Sequence, residues 1–423
     1  MREMKNSGVD WVGEIPVDWR IVKVKQAFYR KNEKAQQENP VVLSLARSGV
    51  KVRDMSANEG QIAESYYNYN PVSVGDLLLN PMDLYSGANC SISNVEGVIS
   101  PAYVNLKNKE NYCSKFYDYY FKVQYWMMVL FAHGKGVSFD NRWTLTNETL
   151  MNFPIVAPSL DEQQRIADFL DEKCAKIDAV IEKQKQVIEK LKEYKLSVIT
   201  EAVTKGLDPT VPMKDSGVEW IGEIPVDWEL TTIARVATVV RGASPRPSGD
   251  PKYFNGNDVP WITVAEVTKD EGKYIYSTET YLTKEGALHS RLVNKGTLLL
   301  SNSGATLGVP KVTKIDGCIN DGSVAFYDLK LEQFYLFYVF KARTYELRKQ
   351  MQGYGQPNLN TSIIKTIELP LPTREVQGNI VKYLDKKSVE IDSAIAKKKS
   401  IVAKLTEYKK SLIYEVVTGK REV

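Results

Sequence analysis

The sequence predicts an α+β protein, in which two globular α/β domains with mixed β-sheets are joined by two long coiled-coil helices in a pseudo-twofold tandem repeat. Two pairs of repeated segments carry this prediction. MKNSGVDWVGEIPVDW (residues 4–19) returns as MKDSGVEWIGEIPVDW (residues 213–228), with 13 of 16 positions identical. Residues 161–204 and 375–418 form the second pair, whose copies are separated by nearly the same length of chain as those of the first. The chain therefore consists of two tandem halves whose intervening segments have diverged.

The second pair of repeats has the apolar periodicity of a coiled-coil helix. Apolar residues recur at alternating spacings of four and three, a seven-residue period that buries a shared seam between helices. We expect Gly206, with Pro209, to end the first helix and Gly419 to end the second. The predicted seam and partner interface consists of Leu170, Ile177, Ile181, Ile188 and Leu191 in the first helix, and Leu384, Ile391, Ile395, Val402 and Leu405 in the second.

Polar residues interrupt this seam at matched positions in the two helices. Gln184 corresponds to Lys398, and Lys195 to Lys409. Polar groups on a seam fix its register at some cost in stability. The same residues could equally face a third helix from a partner, and the sequence leaves both arrangements open.

The segments between the repeats have the pattern of short strands. Each ends in a proline-marked strand, FPIVAP (residues 153–158) or IELPLP (residues 367–372). Apolar and β-branched runs such as VVLSLA, GDLLLN, GTLLLSN and GCINDGSVAFYDL are bounded by Gly, Asn, Asp and Pro. One aromatic helix is predicted in each segment, over residues 116–131 and 332–351. The predicted division is a first globular domain at 1–159, a central coiled-coil helix at 160–208, a second globular domain at 209–372 and a C-terminal coiled-coil helix at 373–423.

Composition excludes several classes of protein. No apolar run approaches the length of a membrane span, and the N-terminus lacks the apolar region of a signal peptide. The four cysteines are scattered, so we expect a reduced, cytoplasmic setting and no membrane partner. The two histidines, His133 and His289, lie in unrelated segments, which argues against a histidine-based triad or metal cluster. We therefore expect no catalytic residues and no metal site.

The inserts instead carry loops with the residue types of nucleic-acid contact. Arg and Lys bind guanine edges and phosphates, Asn and Gln bind adenine, and glycine lets backbone amides approach phosphate. Solvent exposure alone explains any one such loop, but two occur in each half at corresponding places. The candidate DNA-binding residues are Arg47, Lys51, Arg53, Lys135, Ser138, Asn141 and Arg142 in the first half, and Arg241, Arg246, Lys252, Asn302, Gln356 and Asn358 in the second.

The duplicated motifs resemble those of the DNA specificity subunits of Type I restriction–modification systems, over essentially the whole chain. They are the SGVxWxGEIPVDW block, the FPIVAP/IELPLP strand, the Gln-x-x-Ile-x-x-(Phe/Tyr)-Leu-Asp opening of each long helix and its LxEYKxSxIxExVT ending. In the second long helix, Glu375-Val-Gln-Gly departs from the DEQQR start of the first.

The resemblance implies a non-catalytic subunit with two target recognition domains, each reading half of a split, asymmetric site in double-stranded DNA. The long helices would run antiparallel as a spacer and bind two modification subunits. Those subunits would carry S-adenosylmethionine and methylate adenine N6, while restriction subunits would use ATP and Mg. The alternative from the residues themselves is a scaffold protein whose two inserts bind protein ligands.

Overall fold

The computed structural model describes residues 2–54, 63–82, 84–85, 87, 89–136, 143–304, 306–350 and 359–423, with only the backbone of residues 345, 346, 349 and 350. The chain forms two compact units. Unit 1 combines Met1–Lys185 with Ser400–Val423, and unit 2 is Gln186–Lys399. Both divisions fall inside a long helix, so each unit contains one insert and parts of both long helices.

The body of unit 1 holds twelve short strands and four short helices among its described residues. The strands are β1 (Met4–Asn6), β2 (Glu14–Pro16), β3 (Arg20–Lys23), β4 (Phe28–Lys31), β5 (Leu43–Ala46), β6 (Gly49–Val52), β7 (Asn70–Val72), β8 (Leu77–Leu79), β9 (Cys90–Ile92), β10 (Gly97–Ile99), β11 (Val104–Asn108) and β12 (Pro154–Ala157). The helices are α1 (Val24–Ala27), α2 (Ser114–Trp126), α3 (Val129–Ala132) and α4 (Asn147–Asn152), followed by the long helix α5 (Leu160–Lys205).

The body of unit 2 repeats this plan with additional elements. Its strands are β13 (Met213–Asp215), β14 (Glu223–Pro225), β15 (Glu229–Thr232), β16 (Thr238–Arg241), β17 (Phe254–Ile262), β18 (Tyr274–Ile275), β19 (Tyr281–Leu282), β20 (Arg291–Val293), β21 (Leu298–Ser301), β22 (Pro310–Thr313), β23 (Gly317–Ile319), β24 (Ser323–Tyr327) and β25 (Glu368–Leu371). Its helices are α6 (Ile233–Val236), α7 (Val264–Thr268), α8 (Lys284–Leu288), α9 (Gln333–Gln350) and α10 (Thr361–Lys365), followed by the long helix α11 (Arg374–Val417).

The sheets of the two units differ. In unit 1 the order β4-β11-β8-β9 forms the largest sheet, and every pair of named strands among its described residues is antiparallel. The parallel pairing found there is an isolated bridge between Val42 and Val98. In unit 2, sheets of order β16-β24-β21-β22-β18 and β19-β17-β23-β20 each contain one parallel pair. The mixed sheet predicted for both inserts therefore describes unit 2, whereas the named strands of unit 1 form antiparallel sheets.

Glycines end both long helices where the sequence predicts. Gly206 follows the last residue of α5 with φ +80°, and Gly419 lies two residues beyond α11 with φ +73°. Glycine adopts this left-handed conformation without the steric penalty of a Cβ. Each glycine packs on a tryptophan of a repeated block, Gly206 against Trp228 and Gly419 against Trp19. The ends of the helices are therefore fixed on the body of their own unit.

The long helices meet inside each unit. In unit 1, Lys409 Nζ lies 2.6 Å from a carboxylate oxygen of Asp178. In unit 2, the equivalent Lys195 Nζ lies 2.7 Å from Asp392. The two lysines occupy the same position in the two copies of the long-helix repeat, and so do the two aspartates. The two lysines expected on the seam therefore pair with aspartates across the helices, in the same way in both units.

The aromatic helix of unit 1 is shorter than the sequence predicts. A single helix is expected over residues 116–131, but α2 ends at Trp126 and α3 starts at Val129. Met128 between them has φ 60°, a left-handed conformation that interrupts the helical hydrogen bonding. In unit 2, α9 runs without interruption from Gln333 to Gln350.

Candidate nucleic-acid interface

The β5–β6 hairpin of unit 1 presents three of the predicted DNA-binding residues. Arg47 lies in the turn between the strands and is exposed, with Gly87 next to its guanidinium group. Lys51 lies on β6 opposite Ser44 and is also exposed. Arg53 follows the end of β6 and is half-buried. A hairpin that projects two exposed cations is suited to phosphate contact, because neither cation is held in the core.

The second predicted loop of unit 1 is described only at its start. Lys135 is exposed, and its main chain pairs with Thr144 across the loop. Ser138, Asn141 and Arg142 lie outside the described residues, as do Gln356 and Asn358 in the corresponding loop of unit 2.

In unit 2, one aspartate organises the predicted arginine loop. Ser244 Oγ donates to Asp321 Oδ1 at 2.6 Å, and Arg241 Nε donates to the main-chain oxygen of Asp321 at 2.9 Å. Arg246 Nη2 lies 3.5 Å from Asp321 Oδ2, and 72% of the Arg246 side chain remains exposed. The aspartate therefore holds the loop in place while most of the Arg246 guanidinium stays accessible to an anion.

Lys252 lies on the same loop, farther along the chain. Its ammonium group is 3.5 Å from a carboxylate oxygen of Glu285 and 5.3 Å from the ring centroid of Tyr253. The Lys252 side chain is 60% exposed, so this contact leaves it available for a phosphate. An exposed pair of this kind contributes at most about 1 kcal/mol and is easily exchanged.

The structure contradicts the prediction that Asn302 contacts DNA. Asn302 is fully buried, and both polar atoms of its side chain lack a hydrogen-bond partner among the described residues. It directly follows β21, a central strand with β24 on one side and β22 on the other. Its main-chain nitrogen donates to Gly322 O at 2.9 Å and its main-chain oxygen accepts from Leu359 N at 2.7 Å, so segments distant in the sequence lie against it.

The predicted seam residues lie on the inner side of the long helices. In unit 2, Ile188, Ile391 and Ile395 form one buried cluster with Leu191 packed against it. In unit 1, the core includes Leu170 together with Leu412 and Val416 of α11, with Ile177 packed against them. Leu384 is buried in the core of unit 2, and Ile181, Val402 and Leu405 are half-buried.

Sequence reasoning missed Asp321 as the residue that positions the arginine loop. Its signal was available, because Asn-Asp-Gly between two apolar runs predicts a tight turn. What the sequence does not show is that this turn lies against a loop about 80 residues earlier in the chain.

Among the described residues, no group of three or more His, Cys, Asp or Glu side chains is placed to hold a metal ion. No helix in the described part of the chain is both long and apolar enough to cross a membrane.

The sequence is similar to those of known proteins. The sequence profile of the family described as Type I restriction modification DNA specificity domain matches residues 90–190 and 225–404. The Type I restriction enzyme MjaVIII specificity subunit of Methanocaldococcus jannaschii is 24% identical, over 97% of this chain and 94% of that protein. The Type I restriction enzyme EcoBI specificity subunit of Escherichia coli is 21% identical, over 95% of this chain and 84% of that protein.

Solved structures show the same fold. A chain from a structural study of complex assembly and conformational transition in the type I R-M system aligns with a TM-score of 0.73 and 18% identity, over 96% of this chain and 99% of that one. The HsdS subunit from Thermoanaerobacter tengcongensis aligns with a TM-score of 0.50 and 17% identity, over 96% of this chain and 98% of that one. These similarities agree with the α+β class that the sequence predicts.

Proposed function

This chain belongs to the family of Type I restriction modification DNA specificity proteins, and from that premise we propose that it reads a bipartite, asymmetric target in double-stranded DNA. Each unit supplies one target recognition domain, and each domain reads one half of the target. The two long helices form an antiparallel coiled coil that spaces the domains and scaffolds two modification subunits.

The observation that carries this proposal is a repeated frame that holds two different sheets. Gln163 Oε1 accepts a hydrogen bond from the main-chain nitrogen of Cys113 at 2.8 Å, and Gln377 Oε1 does the same for Glu332 at 2.7 Å. The frame contacts are therefore equivalent in the two units, whereas the strand order and the exposed loops differ. A protein that keeps its frame and changes its loops is suited to recognising two unlike sequences.

Exposed cations supply the first contacts with DNA in this proposal. Arg47 and Lys51 of unit 1 and Arg246 and Lys252 of unit 2 bind phosphates, and neighbouring side chains read base edges in the grooves. Phosphate contacts release counterions, so affinity falls steeply as salt rises.

The coiled coil sets the distance between the half-sites. Two readers on one pseudo-twofold frame meet the same face of B-DNA when their half-sites lie about one helical turn apart, ~10 base pairs. With half-sites of about three to five base pairs, the unread spacer is about five to eight base pairs.

Inserting one heptad after Gln184 and another after Lys398 lengthens each helix by about 10 Å. The preferred spacer then grows by about three pairs or binding is lost; an unchanged spacer with full affinity contradicts the role of the helices as a ruler.

A second apolar stripe on the outside of the long helices supports docking of the modification subunits. Val180, Val187 and Tyr194 follow one another at seven-residue spacing on α5 and are 43%, 37% and 55% exposed. Ile401 and Tyr408 occupy the positions of Val187 and Tyr194 on α11 and are 39% and 51% exposed. A heptad stripe that is not used by the inner seam can pair with a helix from another protein. Because the stripe occurs once per long helix, it accommodates two copies of the same partner.

Catalysis and cofactors belong to the partner subunits in this proposal. S-adenosylmethionine is carried by the modification subunits, which methylate adenine N6, and ATP with Mg by the restriction subunits. We therefore expect the purified chain, given S-adenosylmethionine and DNA, to transfer no methyl group to DNA. Methyl transfer by the chain alone, measured with labelled S-adenosylmethionine, would contradict this assignment.

The experiment that tests DNA reading is binding to duplex DNA across a salt series, with the full chain and its modification subunits. Affinity falls less steeply with salt in Arg47→Ala and in Arg246→Ala: the negative slope of log affinity against log salt becomes shallower by about one unit in each, because each variant loses one phosphate contact. Ser248→Ala, at an exposed position in the same loop as Arg246, removes no cation and serves as the control. The alternative function, a scaffold for two protein ligands, predicts weak DNA binding and equal slopes for all three variants.

A further inference from the structure

A pocket of about 360 Å³ lies inside unit 2, where α9 and the start of β18 face the two long helices. Aromatic rings form one wall, and the apolar side chains of Ile199 and Val389 contribute to the opposite side. Three lysines and three carboxylates also line it, namely Lys195, Lys273, Lys341, Glu271, Asp385 and Asp392. This volume lies within the usual range for small-molecule sites, about 300–1,000 Å³.

One lysine of this pocket lacks a carboxylate partner among the described residues. Lys273 Nζ lies 2.5 Å from Asp385, and Lys195 Nζ lies 2.7 Å from Asp392. Lys341 Nζ donates to the main-chain oxygen of Glu271 at 3.3 Å. In the described part of the chain, no carboxylate lies within ion-pair distance of Lys341. The pocket's three lysines are balanced in number by the carboxylates of Glu271, Asp385 and Asp392, but Lys341 is the one lysine among them whose ammonium group has no carboxylate at ion-pair distance among the described residues.

The equivalent lysine of unit 1 shows what Lys341 lacks. The hydroxyl of Tyr119 in α2 donates a hydrogen bond to Asp171, and the hydroxyl of Tyr338 in α9 donates one to Asp385. Because the two aspartates occupy the same position in the long-helix repeats, the two tyrosines are counterparts and fix the alignment of α2 with α9. Lys122 follows Tyr119 at the same spacing as Lys341 follows Tyr338, so the two lysines are counterparts.

The two lysines have different neighbours one helical turn earlier. Lys122 Nζ lies 2.6 Å from Asp118 Oδ2, whereas the position of Asp118 is occupied in α9 by Phe337. An aromatic ring in unit 2 therefore stands where unit 1 has the lysine's carboxylate partner.

The titration of the two lysines differs accordingly. Burial and, to a smaller extent, the charges of Lys195 and Lys311 lower the pKa of Lys341 to about 8, against the opposing effect of Glu271 and Asp392. Burial is also the largest single effect on Lys122 and acts to lower its pKa, but the charge of Asp118 and the hydrogen bond to it, together with Cys90 and Cys174, act in the opposite direction and the net pKa is raised. Burial raises the pKa of Asp118 itself, despite the nearby ammonium group.

We propose that this pocket binds a small organic anion, a carboxylate or phosphate attached to an aromatic or apolar body. The anionic group binds Lys341 Nζ, and the body lies against Phe337 and Tyr274. The proposal rests on the pocket and its unpaired cation and is independent of how the chain reads DNA. A charge-assisted contact of this kind changes affinity by about tenfold or more.

The affinity depends on pH in a direction set by the surrounding charges. Around Lys341, the long helices contribute Lys195, Asp385 and Asp392. Strand β22 contributes Lys311, and the segment just before β18 contributes Asp270, Glu271 and Lys273. Lys341 is protonated below a pH of about 8, so the affinity is constant there. Above that pH the affinity falls, approaching about tenfold per pH unit, because the anion binds the charged form.

The test uses pyridoxal 5′-phosphate as a probe on the full-length chain. The neutral lysine amine attacks the aldehyde carbon, water leaves as the imine forms, and added borohydride reduces the imine to a stable amine that peptide mass mapping locates. We expect Lys341 to be labelled at least about tenfold faster than Lys122, and benzoate or adenosine monophosphate to slow its labelling. Phe337→Asp restores the carboxylate found in unit 1, so we expect the labelling of Lys341 to fall by about tenfold and the protection to disappear.

Direct binding of the two unlabelled anions, measured by calorimetry at pH 7 and pH 9.5, completes the test. Lys341→Met is expected to lose binding at pH 7, and Lys122→Met to keep it. Equal labelling of the two lysines overturns the proposal, as does labelling that neither anion slows. Protection by the modification subunit but by neither anion also overturns it, because the pocket would then receive a protein side chain.

Discussion

The two units hold their inserts with the same contacts and build different sheets on them. Gln163 Nε2 donates to Pro158 O at 2.9 Å, and Gln377 Nε2 donates to Pro372 O at 2.7 Å. Beyond these anchors, unit 1 pairs its named strands antiparallel and unit 2 includes two parallel pairs among its described residues.

The difference shows which parts of a repeat are free to change. The anchors bind main-chain atoms, so they depend on the position of the backbone and tolerate different neighbouring side chains. Exposed loops carry little of the core and therefore change at small cost in stability. A repeat can acquire a new recognition surface while its attachment to the long helices remains the same.

Exchanging the insert between the anchors gives the largest expected effect. We expect replacement of residues 20–158 by the corresponding insert of a relative to change one half of the recognised target and leave the other half intact. Loss of two or more correct base contacts lowers affinity for the old half-site by about 10²–10⁴, at ~1–3 kcal/mol per base. Binding to a library of duplexes measures both halves. A change in both halves contradicts independent reading.

A charge on the inner seam tests the contrast between the inside and the outside of the helices. Ile395 is 7% exposed in a cluster with Ile188 and Ile391. Ile395→Asp leaves a buried, unpaired charge, so we expect unfolding free energy to fall by about 3–5 kcal/mol and partner binding to be lost. Val389→Asp on the same helix is the matched control, since Val389 is 69% exposed, and it changes stability by about 0.5 kcal/mol or less. Urea unfolding compares the two; equal losses contradict a structural seam. Ile181→Asp, at a half-buried position, is expected to cost less than Ile395→Asp.

The two equivalent lysines give a smaller, pH-dependent contrast. Lys341→Met removes a charge whose pKa is lowered to about 8, so at pH 7 we expect a gain of about 2–3 kcal/mol. Between pH 8 and 10.5 the unfolded chain binds more protons than the folded one, so the wild type gains stability and the difference shrinks.

The opposite sign is expected in unit 1. Lys122→Met leaves the buried Asp118 without its partner and costs about 1–3 kcal/mol at pH 7. Because the pKa of Lys122 is raised, its contribution persists until the pH exceeds the ordinary lysine value. Unfolding curves at pH 7 and pH 9.5 check both variants. The same sign for both at pH 7 contradicts the assignment of Asp118 and Phe337 as the deciding neighbours.

The smallest expected effect concerns the ion pairs between the long helices. Asp178→Asn and Asp392→Asn remove equivalent, solvent-exposed pairs, which contribute about 0.2–1 kcal/mol each and weaken in salt. We expect equal changes within about 0.5 kcal/mol in urea unfolding. Unequal losses, or a loss well above this range in either variant, contradict the description of the pairs as equivalent and solvent-exposed.

Local sequence signals predicted the parts of the fold that depend on local chemistry. The heptad spacing placed Ile188, Ile391 and Ile395 on an inner face, and Gly206 and Gly419 marked the helix ends. Both signals act within a few residues of the chain, where periodicity and backbone conformation are sufficient.

Long-range pairing limited the rest of the prediction. Nothing within the run that includes Asn302 indicates that Gly322 and Leu359, which are distant in the sequence, will lie against it or that it will be buried. The parallel or antiparallel direction of a strand pair is also set by the connection between strands and not by their residues. Arg47 and Arg246 could be named as candidates because charge and glycine content are local, whereas the support from Asp321 spans about 80 residues.

Mapping methylated adenines in a genome that expresses this chain with its modification subunits tests the central claim most directly. Two different readers on one repeated frame predict a single split motif, with two unlike specified halves separated by about five to eight unread base pairs. Exchanging residues 20–158 should then rewrite one half and leave the other half and the spacer unchanged. A continuous motif, or a palindrome with two identical halves, would contradict the claim that the two units read different sequences.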